Sequence, residues 1–167
     1  MIDRQDLYYA IGNVILKDSL RIIYGDSLSI EYKGDLIDIT LKPSNDNSGI
    51  RFIRTDIEGD IAERTILASY QNVSDTNMCT TIKNENDCKI STIEHLMAAF
   101  YGEGIDNVLV EIDCPEIPIM DGSAFDFVEA IRSVGTEEQK YARKFINTIK
   151  KVEVKDGPKS ISIEPLA

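Results

Sequence analysis

The chain contains a single histidine, and it directly follows a glutamate in Ser91-Thr92-Ile93-Glu94-His95-Leu96. The segment reads as the start of a helix. Neighbouring residues on a helix project about 100° apart, so a metal-bound imidazole and a carboxylate base could both reach one cavity without touching each other. In that arrangement Glu94 would deprotonate a metal-bound water. The same residues also have a structural reading, in which Ser91 is the N-cap, Glu94 closes a capping box and His95 is a partly buried ring satisfied by a hydrogen bond. Without further context the structural reading takes precedence.

The elements that would position this pair follow from periodicity. The spacing predicts a helix over 92–101, with Ile93, Leu96, Met97 and Phe100 apolar and Gly102 as its stop signal. A second helix is predicted after Asp121-Gly122, with Ser123 as cap, Phe125, Phe127, Val128 and Ile131 on and around its apolar face, and an end near Gly135. From Leu20 to Thr55 the pattern is one of short β-branched runs, including the strict alternation of Ile37-Asp38-Ile39-Thr40-Leu41, which predicts antiparallel strands. Further strands are predicted at 80–83, 107–112, 149–154 and 160–164. Leu7, Ala10, Ile11, Val14 and Ile15 predict a short amphipathic helix over 5–18. The polar run Thr136-Glu137-Glu138-Gln139-Lys140 reads as a solvated connection. Strands with two helices on one face make an α+β fold, a two-layer sandwich of a small, mostly antiparallel sheet.

Composition narrows the function classes. With 167 residues, 43% hydrophobic, the chain suits one domain with a sizeable core, or one domain plus a fragment of a second. A net charge of −11 disfavours nucleic acid. No apolar run approaches the ~20 residues of a membrane span, and no secretory signal is visible, so a cytoplasmic location is expected. Cys79, Cys88 and Cys114 are odd in number and lack metal-type spacing, which predicts reduced, mostly buried thiols.

Two further runs, taken with the Glu94-His95 segment, supply the missing context. Ser91 to Leu96, then Gly102-Glu103-Gly104-Ile105-Asp106-Asn107, then Pro115-Glu116-Ile117-Pro118-Ile119-Met120-Asp121-Gly122-Ser123-Ala124 occur in this order. Together they resemble the zinc-dependent UDP-3-O-acyl-N-acetylglucosamine deacetylase family of lipid A biosynthesis. The resemblance runs from about Ser19, through Arg54-Thr55-Asp56 and Ser74-Asp75-Thr76, to Ile161. It implies two domains of related fold packed helix layer to helix layer, with the active site between them. By the same resemblance His95 is one of three zinc ligands, Glu94 is the general base, and Met78, Cys79 and Thr80 form a substrate-binding wall beside the metal. Residues 1–18 are then an N-terminal extension, 19–136 the first domain, and 137–167 a linker with the first hairpin of a truncated second domain.

The departures from the family pattern set the functional expectation. The His-Lys-x-x-Asp motif that supplies the other two zinc ligands is absent, as is the later catalytic histidine, and Ser29-Ile30-Glu31-Tyr32-Lys33-Gly34 stands where the family carries Gly-Leu-His-Thr/Ser-Gly. The chain is therefore expected to be the N-terminal half of an amide-hydrolysing deacetylase that releases acetate and is inactive alone. The alternative is a non-catalytic deacetylase-like binding or interaction protein. Either would expose a helix face that a homodimer or a partner chain covers. A completed site would take UDP-3-O-acyl-N-acetylglucosamine. A third possibility, an unrelated binding module, requires a fold without the sheet and two helices.

Overall fold

The computed structural model describes residues 11–32 and 37–166, with backbone alone for 11–19 and 31–32. Its strands are β1 (Ile11–Ile23), β2 (Leu28–Tyr32), β3 (Ile37–Pro43), β4 (Ile50–Arg54), β5 (Thr65–Leu67), β6 (Val73–Asp75), β7 (Thr81–Lys83) and β8 (Lys89–Ile90). Helix α1 (Glu94–Glu103) follows, then β9 (Val108–Ile112), α2 (Phe125–Val134), β10 (Thr136–Thr148), β11 (Val152–Asp156) and β12 (Lys159–Ile163). The fold is α+β. The chain divides into two units, one of residues 20–141 and one of residues 1–19 with 142–167.

The larger unit is organised by a five-stranded sheet in the order β2-β3-β9-β4-β5, antiparallel except for the parallel pair β4 and β9. Its register explains the core. Leu28 pairs with Leu41, Leu41 with Val110, Val110 with Phe52 and Phe52 with Ile66. Directly paired residues share a face, so the alternating apolar positions of five strands line up on one side. Ile30, Ile39 and Ile112 form the neighbouring row on that side. The opposite face is mixed, with Ile53, Leu67 and Leu109 among polar residues, and there Lys42 and Glu111 form a 2.8 Å ion pair.

Both helices bury their apolar stripes in the same core as this sheet face. Leu96, Ala99 and Phe100 of α1 and Phe127 and Ile131 of α2 are each fully buried within one cluster with Phe52, Leu41 and Val110. Helix α1 runs past Gly102 and stops at Gly104, whose φ of 71° is left-handed and whose N–H caps the Phe100 and Tyr101 carbonyls. The conformation at Gly104, which only a residue without Cβ adopts freely, decides the end of α1. For α2, Ser123 accepts the Phe125 N–H at 3.1 Å, one residue outside the formal N-cap Ala124, and the helix ends at Gly135.

Two sequence expectations are corrected. The predicted helix over 5–18 lies outside the described residues for 5–10, and residues 11–18 belong to strand β1, which pairs with β10. Ile11, Val14 and Ile15 are β-branched, and a pairing partner far along the chain overrides a short helical periodicity. The run Thr136 to Lys140 is the start of β10 and not a connection, although Glu137, Glu138 and Lys140 are exposed as expected. Gln139 is the reason that its polarity misleads. Its side chain accepts from Asn107 Nδ2 at 2.6 Å and donates to the Ser44 carbonyl at 2.9 Å, while buried Asn107 also accepts the Gly49 N–H at 2.8 Å.

In the smaller unit β11 and β12 form a hairpin that turns at Gly157, with Val152 opposite Ile163 and Val154 opposite Ile161. These four residues share a face, and Val154, Ile161 and Ile163 are exposed on it. A two-stranded hairpin of this kind is marginal on its own.

One charged group sits at the edge of the core. Arg54, 7% exposed, makes two bonds to Asp56, of 2.7 and 2.6 Å, and donates to the Lys89 carbonyl at 2.9 Å. The hydrogen bond from Arg54 holds the Asp56 carboxyl below its ordinary range. A depressed acid stabilises the fold at pH values above its unfolded pKa, about 3.9, and that contribution fades as pH falls through the folded value. Asp56→Asn is expected to cost about 1–3 kcal/mol near pH 7, because it leaves a buried guanidinium without its counter-charge. Urea unfolding of both proteins from pH 7 downward checks this: the difference should hold to about pH 5 and shrink below pH 4.

Candidate active site

Helix α1 begins at Glu94, and its start is set by a turn of two residues. Ser91 is bridged to Glu116 in parallel fashion, its N–H donating to the Pro115 carbonyl at 2.9 Å and its carbonyl accepting from Ile117 N–H at 3.0 Å. Only Thr92 and Ile93 separate that bridge from the helix. The reversal is achieved at Thr92, whose φ is 58°, and Ile93 then enters helical space at −76°. Among the described residues Thr92 is the one β-branched residue with positive φ. Such a conformation costs on the order of 1–3 kcal/mol. Thr92 Oγ1 donates to Glu116 Oε1 at 2.6 Å, and a hydrogen bond to a charged group contributes about 1.5–3 kcal/mol. The two are comparable, so the bond suffices to hold the turn.

This turn overturns the capping-box reading of Glu94. The N-cap is Ile93 with no side-chain cap, and the Ser91 hydroxyl accepts from Thr81 Oγ1 at 3.1 Å instead of from the helix. Glu94 Oε2 accepts the Thr80 N–H at 2.9 Å, while the Ile93 N–H donates to the Thr80 carbonyl at 3.4 Å. Strand and helix start are thus tied by a reciprocal pair of bonds. Oε2 is the only Glu94 oxygen so engaged among the described residues, which leaves Oε1 available.

Glu94 and His95, both half-buried, line a cavity of about 470 Å³ together with Met78, Cys79, Thr92, Glu116 and the Ile117-Pro118-Ile119 segment. Met78, at φ 67°, is fully exposed, and Cys79 is half-buried. Thr80 is placed behind Glu94 and lines an adjoining, mostly apolar groove of about 480 Å³ with Tyr70, Val73, Met97 and Tyr101. Glu94 borders both spaces.

The surrounding charges are few. Asp121 is held below the ordinary carboxylate range by hydrogen bonds from the Ser123 hydroxyl and amide, with a smaller pull from His95. Burial pushes the Cys88 and Cys114 thiols up, so both stay protonated at neutral pH. All three cysteines are free, Cys88 buried and the other two half-buried.

The resemblance implies zinc, and the donor set tests that implication. Among the described residues no group of three His, Cys, Asp or Glu side chains is placed to hold a metal. A catalytic zinc takes three protein ligands and an open position. The described residues therefore do not fit a self-contained zinc centre. What they present is one imidazole beside one carboxylate in a cavity wall.

The family is settled by comparison of the whole chain. A profile described as LpxC, UDP-3-O-acyl N-acetylglycosamine deacetylase, matches residues 27–167. The chain belongs to that deacetylase family. It is 45% identical over 134 residues to the UDP-3-O-acyl-N-acetylglucosamine deacetylase of Shewanella halifaxensis, covering 80% of this chain and 43% of the relative. The corresponding proteins of Pasteurella multocida and Haemophilus influenzae are 45% and 43% identical over the same shares. The chain thus spans less than half the length of the relatives it matches. No helix of the described residues is long and apolar enough to cross a membrane.

Two residues of this deacetylase-family cavity lie in the runs that carry the resemblance but receive no role from it. Thr92 is a residue type that disfavours positive φ, and Glu116 meets it across 24 positions. The alternation of Pro115, Ile117 and Pro118 around Glu116 marks a rigid segment, but nothing in it specifies the partner.

The Thr80 bond gives Glu94 a measurable structural share. Glu94→Ala is expected to lower stability by about 1–2 kcal/mol in urea unfolding, since it strands the Thr80 N–H, whereas Glu94→Gln, which keeps an acceptor there, should stay within about 0.5 kcal/mol of the parent.

Proposed function

We propose that this chain contributes one wall of the active site of a UDP-3-O-acyl-N-acetylglucosamine deacetylase, and that the site is completed by residues outside this sequence. The observation that carries the reading is the pairing of a half-engaged Glu94 carboxylate with an unencumbered His95 in one cavity of a chain of this family. The reaction is hydrolysis of an acetamide: water adds to the carbonyl carbon, the C–N bond breaks, acetate leaves and the glucosamine amine takes a proton. Glu94 is the base that removes the water proton, held in place through Thr80. In the completed site His95 would be one of the zinc ligands, with Met78 and Cys79 in the same cavity and Thr80, behind Glu94, completing the substrate wall from the adjoining groove.

The polypeptide that completes the site also has surface to cover. Tyr101 is 90% and Phe125 61% exposed, and the apolar groove beside α1 adjoins Glu94. A second copy or a partner chain covers this helix face in our reading, because exposed aromatic surface favours association. Residues 137–167 belong, on the same reading, to the start of the second domain.

Two measurements test these statements. Acetate release from UDP-3-O-acyl-N-acetylglucosamine should be absent with the chain alone. It should appear when the remaining portion of the Shewanella halifaxensis relative is added as a separate polypeptide, and fall by at least ~100-fold with His95→Ala or Glu94→Ala. Absence of both turnover and zinc uptake in the mixture would leave the non-catalytic binding reading. Light scattering at micromolar concentration should report a dimer or larger species, and a stable monomer would remove the proposed association.

A further inference from the structure

The proposed roles of Glu94 and His95 leave one cavity-lining carboxylate unused. Glu116 is an exposed residue on a stretch of the wall that backbone hydrogen bonds hold in place. Its own carbonyl accepts from Cys114 Sγ at 2.9 Å, and the residues on either side of it, Pro115 and Ile117, are hydrogen bonded to Ser91. From this platform the carboxylate reaches the Thr92 hydroxyl at 2.6 Å. Thr92 is in turn the residue whose left-handed backbone turns the chain from the Ser91 bridge into the helix.

We infer that Glu116 is a positioning residue, whose carboxylate locks the Thr92 turn and thereby fixes the direction in which Glu94 and His95 enter the cavity. Among the described residues no other side-chain hydrogen bond reaches Thr92. The N-cap Ile93 makes no side-chain bond, and the Ser91 hydroxyl is engaged with Thr81. A threonine freed from Glu116 relaxes toward negative φ. Since only Ile93 lies between Thr92 and Glu94, that rotation is passed directly to the first turn of α1. Two readouts follow: the Thr80 N–H that Glu94 accepts, and the ring of His95. The inference rests on the proposed reading of Glu94 and His95 as the reacting pair, but its physical content lies in the free chain.

His95 is the only histidine, so its ring Cε1–H gives one resonance without ambiguity. In the full chain, Glu116→Ala and Thr92→Val should each shift that resonance and the Thr80 amide proton, and raise the exchange rate of the Thr80 amide at least ~10-fold. Exchange at Phe52 and Val110, in the core of the sheet, should stay unchanged. Glu116→Gln, which retains an acceptor, and Thr92→Ser, which retains the hydroxyl, should behave as the parent. The Thr92→Val/Glu116→Ala double variant should be no worse than either single one, the signature of one shared bond. If Glu116→Ala does not fold, Thr92→Val against Thr92→Ser carries the same comparison. Unchanged Thr80 and His95 signals in Glu116→Ala or Thr92→Val would overturn the inference, as would equal loosening of the sheet core. An inactive complemented mixture in which these signals remain coupled overturns the reading of the pair alone; an active one without coupling overturns the positioning role alone.

Discussion

The candidate site depends on a turn of two residues between a β-bridge and a helix. Ser91 is fixed to the Pro115 to Ile117 segment, α1 starts at Glu94, and the direction of the chain has to change at Thr92 and Ile93. The backbone solution is a left-handed threonine, an unfavourable conformation, stabilised by a short bond to the Glu116 carboxylate. From that point the reciprocal bonds between Thr80 and the start of α1 become possible. They draw Glu94 away from the capping role that its spacing suggests and leave one of its oxygens beside the cavity.

The rest of the larger unit holds this turn rigid. The sheet face formed by Leu41, Val110, Phe52 and Ile66 is closed by Phe100 from α1 and Phe127 from α2, all of them fully buried. Burial of each such side chain contributes roughly 1.5–3 kcal/mol, so together they outweigh the strain of about 1–3 kcal/mol at Thr92. Packing therefore fixes the body of α1 from Leu96 onward, which leaves the turn to set how Glu94 and His95 leave the Ser91 bridge. Strain next to a cavity that carries a carboxylate and an imidazole is the pattern expected where geometry serves a reaction, and Met78 and Met120, also at positive φ, flank the same region.

How much of this the sequence discloses depends on the range of the interactions. The alternation of Ile37 to Leu41 specifies a strand and its inward face, and the structure has β3 there with Ile39 and Leu41 buried. Both helices are legible from apolar spacing for the same reason. Their ends are less so: Gly102 looks like a stop, but the left-handed residue is Gly104, and Ser91 looks like a cap but is held by Thr81. Ile11 to Ile15 fit two periods, and a partner strand more than a hundred residues away chooses between them. The Glu94-His95 pair stands out from its residue types. Glu116 does not, because its meaning lies in a contact with Thr92 that no local pattern encodes.

On the proposed reading this chain offers one metal donor, His95, to a site completed from elsewhere. With the chain carrying ¹³C-labelled histidine, only His95 reports. Zinc should leave its resonance unchanged in the chain alone and shift it to a single bound position once the unlabelled remaining portion of a family relative is present. A resonance that ignores zinc in the mixture, or that is already saturated by stoichiometric zinc in the chain alone, would contradict the claim.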